Sequence, residues 1–320
     1  AFSYGQEVKI LNSGKHVSLR GLSAVSNHII WVSGSLGTVG VSTDGGANWK
    51  WMQVPGYEKS DFRDIEAFSD QEAFIMGITL PAVILRTTDR GKHWKTVFSD
   101  STKSAFLDAM DFYDSMGAAI GDPVNGHKYF VETGDRGKSW RHNASVELDS
   151  LSKGEAYFAS SGSNIKWDNI LEWNTISGGK KSRIYNDSGT YDLLINQGSE
   201  TSGANSIAIN PSDPNQAFIV GGDFSIDSSR YRNAIRIQLQ PFIQIPPYDP
   251  PHGYRSCVEY IDSKRLVCCG PGGVDISADG GMTWKLISNK SFYVCRRVKS
   301  GKTVYLAGSG GAIAVLVLNE

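Results

Sequence analysis

Ser42-Thr43-Asp44-Gly45-Gly46-Ala47-Asn48-Trp49 recurs without gaps as Thr87-Thr88-Asp89-Arg90-Gly91-Lys92-His93-Trp94, Thr133-Gly134-Asp135-Arg136-Gly137-Lys138-Ser139-Trp140 and Ser277-Ala278-Asp279-Gly280-Gly281-Met282-Thr283-Trp284. The tryptophans lie 45, 46 and 144 residues apart, and the last interval is three steps of 48, so two copies have decayed between them. A remnant is Asn186-Asp187-Ser188-Gly189. Internal repeats of this period mark propellers and solenoids. The residue types suit a turn. A carboxylate and a hydroxyl close it by bonding local N–H groups. Glycine supplies the positive φ of a tight hairpin, and tryptophan packs between sheets. Asp44, Asp89, Asp135 and Asp279 therefore read as structural, as do Trp49, Trp94, Trp140 and Trp284.

A second marker repeats independently. Apolar runs of strand length end at Gly34, Gly77, Gly121, Gly178, Gly221, Gly270 and Gly308, spaced 38 to 57 residues apart. Each unit holds four such runs, which matches one propeller blade. The last blade, ending at Ala312–Leu318, lacks a fourth strand, while Glu7–Leu11 is spare at the other end. Pairing the two would leave no exposed seam. The expectation is one all-β domain, residues 1–320, forming a seven-bladed β-propeller closed by an N-terminal strand.

Composition narrows the function. Thirty-two basic and 33 acidic residues give a net charge of −1, with no basic excess for nucleic acid. No apolar run approaches the roughly 20 residues of a membrane-spanning helix. Cys257, Cys268, Cys269 and Cys295 show no CxxC spacing and no nearby histidine, so they read as buried strand residues and no metal is expected. No Gly-x-Gly-x-x-Gly lies between a strand and a helix, so no nicotinamide or flavin cofactor is expected. The chain begins at Ala1, and a leader or tag removed upstream is the expectation.

The four turn segments resemble the Asp-box, or BNR repeat, of sialidases and related propellers. Phe62-Arg63-Asp64-Ile65-Glu66-Ala67-Phe68, Gly121-Asp122-Pro123, Gly154-Glu155-Ala156-Tyr157-Phe158-Ala159-Ser160-Ser161-Gly162 and Gly221-Gly222-Asp223-Phe224 resemble the photosystem II stability/assembly factor family, most closely its non-photosynthetic bacterial relatives. The resemblance covers nearly the whole chain and is weakest between about 163 and 245. It implies a seven-bladed propeller exported across a membrane, periplasmic or secreted. In photosynthetic members it implies a helper in assembling membrane-protein complexes.

Propeller ligands usually bind at the channel mouth opposite these turns. The starts of the innermost strands align as Ser18-Leu19-Arg20-Gly21-Leu22, Asp61-Phe62-Arg63-Asp64-Ile65 and Gly253-Tyr254-Arg255-Ser256-Cys257. This register brings Arg20, Arg63 and Arg255 together as a receptor for carboxylate or phosphate. The alternative pairs them with Asp64, Asp108 or Glu155. Asp122, His127 and Asp223 lie on loops of the same face. A binding protein is the leading reading, monomeric, with a protein partner or an anionic or carbohydrate ligand. The other reading is a sialidase-like glycosidase using the arginines, Asp64 or Asp108 as acid and Tyr254 as nucleophile. That reading lacks the Phe-Arg-Ile-Pro segment and the six blades of sialidases, and fold alone does not license chemistry.

Overall fold

The computed structural model describes residues 6–146, 150–168 and 173–318. Seven antiparallel sheets follow one another around a central channel. Their innermost strands are Leu19–Ala24, Phe62–Ala67, Ala109–Tyr113, Ile165–Trp167, Ser202–Asn210, Cys257–Tyr260 and Val294–Arg297, in blades one to seven. The second strands Ile30–Gly34, Ala73–Gly77 and Leu266–Gly270 are buried along their whole length. Blades cover them on both faces, which is why their sequences run as continuous apolar stretches rather than alternating. Outer strands such as Lys50–Gln53 are partly exposed. The core is accordingly a series of apolar layers between neighbouring blades. Trp31, Phe62 and Ile75 fill the first-to-second gap, and Phe218, Tyr260 and Trp284 fill the fifth-to-sixth.

Glu7–Leu11 pairs antiparallel with Ile313–Val317 in continuous register, from Glu7↔Val317 to Leu11↔Ile313, and completes blade seven. The Ser13 hydroxyl donates to the Gly311 carbonyl at 2.6 Å, and the Leu19 amide donates to the Gly308 carbonyl at 3.0 Å. The ring is thus fastened beside its closure by hydrogen bonds between residues nearly three hundred positions apart in sequence.

The repeated turns are built as their composition predicts. The Ser42 hydroxyl donates to Asp44 Oδ1 at 2.8 Å and accepts from the Gly46 amide at 2.8 Å, while Asp44 Oδ1 accepts from the Asn48 amide at 2.8 Å. The turns at Thr87, Thr133 and Ser277 repeat this pattern. Gly46, Gly91, Gly137 and Gly281 have φ of 88°, 71°, 69° and 86°. A side chain there would also strike Leu11, Met52, Phe74 or Phe218 of the preceding blade. The turn therefore docks each blade onto its neighbour.

The strand-end glycines have a different cause. A Cβ on Gly34, Gly121, Gly221 or Gly270 would lie 1.9, 1.6, 1.9 or 2.4 Å from the carbonyl oxygen of Ser18, Phe106, Gly203 or Tyr254. In each case that carbonyl belongs to the chain entering the innermost strand, so only hydrogen fits. Blade four departs from the four-strand plan. Gly178–Gly179 leaves it to pair with Glu155–Ala156 and with Gly203 of blade five, where the adjoining sheet reaches six strands.

Candidate functional site

The channel is closed by the chain's own backbone. Ala159–Asn164, entering blade four, crosses it and bonds to every other blade. Arg20 of blade one donates to the Ser160 carbonyl at 3.2 Å, and Arg63 of blade two to the Ala159 carbonyl at 3.3 Å. Asp108 of blade three accepts from the Ala159 amide. Ser163 Oγ donates to Ser206 Oγ of blade five at 2.7 Å, and Ser161 Oγ to the Ser256 carbonyl of blade six at 2.7 Å. Arg296 of blade seven donates to the carbonyls of Ser161 at 2.7 Å and Gly162 at 3.2 Å. The plug leaves two separate mouths.

The mouth opposite the Ser/Thr-x-Asp turns is a cavity of about 420 Å³. Its ring has a simple origin. Arg20, Arg63 and Asn205 are each the extra residue at a register shift between the first two strands of their blades. Such a bulge re-aims a side chain. Asp108, Ser256 and Tyr293 stand at the corresponding places in blades three, six and seven, and Ser160 of the plug joins them in the lining. Phe106, Tyr157, Phe158, Phe224 and Tyr254 supply aromatic walls. Phe224 is about half exposed at the rim, edge-on to Phe158 and Tyr254.

The electrostatics favour an anion. Arg20 lies over the Tyr293 ring at 4.1 Å. Burial, then the like charge of Arg63, lowers its pKa. Arg63 Nε bonds Asp61 at 2.9 Å. Burial, with Asp122 alongside, pushes the Asp108 carboxyl well above the usual range, and its Oδ2 has no hydrogen-bond partner among the described residues. Burial also raises Asp122, which accepts from the Tyr157 amide at 3.2 Å. Arg20 and Arg63 therefore face Asp108 and Asp122, carboxyls that resist ionising, while Asp61 engages Arg63 through Nε.

Several expected site residues stand elsewhere. Arg255 does not join Arg20 and Arg63. It is fully buried, and its Nε donates to Asp275 Oδ2 at 2.7 Å. The sequence register was one residue out in blade six. The carbonyl packed on the strand-end glycine is Ser18 for Gly34 and Tyr254 for Gly270, which equates Arg20 with Ser256. Counting back 14 residues from Gly34, Gly77 and Gly270 reaches Arg20, Arg63 and Ser256, a signal present in the sequence. Asp64 lies below the plug, accepting from the amides of Ile65 at 2.8 Å and Met110 at 2.7 Å, and burial pushes its carboxyl up to about 8. Glu155 is buried and binds Arg183, Ser177 Oγ at 2.5 Å and Tyr185 Oη at 2.6 Å. His127 is exposed at a hairpin tip. Asp223 accepts from the Ser225 amide at 2.9 Å and does not line the cavity.

Of the groups considered for glycosidic chemistry, Asp108 and Tyr254 reach this cavity and Asp64 does not. The Tyr254 hydroxyl donates to Asn205 Oδ1 at 2.8 Å, and burial raises its pKa, opposite to what activates a phenolic nucleophile. Asn205, Ser256 and Tyr293, with the aromatic wall residues Phe106, Tyr157, Phe158 and Phe224, are among the lining residues the sequence reading did not place at the site. Cys257, Cys268, Cys269 and Cys295 are all buried and unpaired as disulfides. No helix among the described residues is long and apolar enough to cross a membrane.

No protein-family model and no curated protein sequence matches this chain. Solved structures do. YCF48 bound to D1 peptide superposes with a TM-score of 0.69 at 16% identity, over 100% of this chain and 99% of that one. YCF48 from Cyanidioschyzon merolae gives 0.64 at 16% identity, over 98% of each. The WD40 β-propeller domain of Doa1 gives 0.66 at 12% identity, over 99% and 98%. At these identities the likeness establishes the fold, a complete seven-bladed propeller.

Proposed function

We propose that this propeller is a binding protein of assembly-factor type that takes an anionic group of a protein partner, a chain terminus or an acidic side chain, at the mouth opposite the Ser/Thr-x-Asp turns. One observation carries the reading: Arg20 and Arg63 converge, among aromatic walls, on a cavity floored by the plug. Guanidinium groups match carboxylate geometry, and Tyr, Phe and Arg are enriched where proteins meet. A propeller of similar fold, YCF48, has been solved with a D1 peptide, which favours a peptide over a free sugar. Export across a membrane and a monomeric state belong to the same proposal, the first resting on the sequence resemblance. Cell fractionation and light scattering test them.

The decisive experiment is a fluorescence-anisotropy screen of peptides ending in a free carboxylate against the same peptides amidated, together with peptides rich in Asp and Glu. Arg20→Ala and Arg63→Ala are each expected to weaken the best hit by about tenfold or more. Retention of full affinity in both variants would sink the proposal. So would turnover of a 4-methylumbelliferyl glycoside that Asp108→Asn abolishes.

A further inference from the structure

The mouth opposite the Ser/Thr-x-Asp turns holds more acid than base. Arg20 and Arg63 face it as cations, and Asp61, bonded to Arg63 Nε, already offsets one of them. Asp108 and Asp122 line it as well. With Asp61, Asp108 and Asp122 all ionised, the mouth would carry a net negative charge, the wrong sign for an anionic ligand.

Asp108 is the more deeply set of the two lining acids. It stands where the chain enters blade three, its amide donating to the Ile120 carbonyl at 2.8 Å, and it is 1% exposed. Its carboxyl accepts from the amides of Ala159 and Asp122. These bonds leave Oδ2 without a partner among the described residues, although the atom is buried and the residue lines the cavity. A buried carboxylate oxygen left unpaired is costly, whereas the same oxygen carrying a proton becomes a donor in search of an acceptor. Burial, then the neighbouring Asp122, disfavours charge on Asp108, and Arg63 and the two amides oppose them without prevailing. The remaining titratable groups lining the cavity are the phenols of Tyr157, Tyr254 and Tyr293, with no histidine or lysine among the described residues there. The Asp108–Asp122 pair is therefore the acid that answers to a ligand's charge.

We propose that an anion enters this mouth together with a proton: the Asp108–Asp122 pair takes one from solvent, and Asp108 Oδ2 donates it to the bound carboxylate beside Arg20 and Arg63. The inference rests on the reading of this mouth as an anion site and adds the acid that completes it. The proton removes one negative charge and turns the orphaned oxygen into a donor. An acid kept neutral by its surroundings can serve as a hydrogen-bond donor in this way. The two carboxyls titrate as a unit, and the ligand draws their shared proton to Oδ2. Affinity is then highest where the pair already holds its proton. It falls as the pH rises beyond that point, by up to about tenfold per pH unit for one proton.

The test uses acetyl-Ala-Ala-Phe and the best carboxylate-ended peptide of the screen, acetylated and free of other titratable groups. Calorimetric titrations should show affinity falling by about tenfold or more from about pH 5 to about pH 9. Binding heats in Tris and bis-Tris, cationic buffers that do not compete for an anion site, should differ by the ionisation enthalpy of the proton taken up. Both readouts come from the unmutated protein, so neither depends on a variant folding. Asp108→Asn keeps a donor but cannot ionise; it should flatten the profile and bind about tenfold more tightly than the parent at about pH 9. Asp108→Leu, neutral without a donor, should be equally flat and about tenfold weaker than Asp108→Asn. Binding that needs Arg20 and Arg63 yet shows one affinity across this range and equal heats in the two buffers overturns the proton coupling and leaves the anion site standing. Asp108→Leu binding as tightly as Asp108→Asn overturns Asp108 as the donor. No binding of either peptide at about pH 5 overturns both readings.

Discussion

Arg63 and Arg255 look interchangeable in sequence, each two residues after the residue that starts its aligned segment, yet they have opposite duties. Arg63 sits at a bulge and lines a mouth; Arg255 lies one position earlier in its blade and neutralises Asp275 inside the protein. Residue types were legible, but a one-residue register was not, because a bulge shifts a side chain without changing composition. The glycine close approach carries the register, and it acts through backbone contact that composition does not display. The two arginines are separable by experiment. Arg255→Met leaves the buried Asp275 carboxylate with His252 alone, whose Nδ1 lies 2.6 Å from Oδ1, and should cost about 3 kcal/mol in urea unfolding, while leaving affinity at the Arg20–Arg63 mouth intact. Arg63→Ala, at a partly exposed position, should do the reverse. If Arg255→Met weakens peptide binding while the fold's stability is unchanged, the assignment of Arg255 to the core fails.

The turns are the element that the sequence displays best, since everything they need lies within eight consecutive residues. Hydroxyl, carboxylate and glycine interact locally, so their pattern survives without knowledge of the rest of the chain. Blade four shows the opposite case. Its glycine pair leaves for the neighbouring sheet and its entry segment plugs the channel, both products of long-range contact that no local pattern encodes. The turns also have a pH signature. Backbone N–H bonds from Asn48, His93 and Ser139 hold Asp44, Asp89 and Asp135 at about 2, below the ordinary 3.8. A carboxylate whose pKa is lower in the folded chain than in the unfolded one stabilises the fold fully above about pH 4, and that stabilisation is lost as the pH falls towards 2. The buried carboxyls of Asp64, Asp108 and Asp122, raised in the fold, act in the opposite sense, so the turn is read as a difference: the gap in urea midpoint between the parent and Asp135→Asn should be open at pH 5 and close as the pH falls to 2. A gap of constant size would mean the turn carboxylate contributes nothing to the acid limb.

At the scale of the molecule, blade number and ring closure were readable because repetition makes the fold declare itself several times. The plug was not, since Ala159–Asn164 has the composition of any polar loop. Its consequence concerns how the protein comes apart. Repeat arrays whose units touch only their neighbours can fray from the ends. Here one six-residue segment is bonded to blades spread from Arg20 to Arg296, so loosening any one of them disturbs a partner common to all. Heat or urea should give one transition, with coincident midpoints for near-ultraviolet dichroism and far-ultraviolet dichroism. Gly162, at φ 63° with the Asp64 carboxyl where its side chain would go, is the place to test it. Gly162→Ala should lower that single midpoint by the equivalent of roughly 1–3 kcal/mol, with no separate early phase; a distinct early phase would show the blades unfolding independently. A wheel whose hub is one of its own spokes does not shed its rim piece by piece.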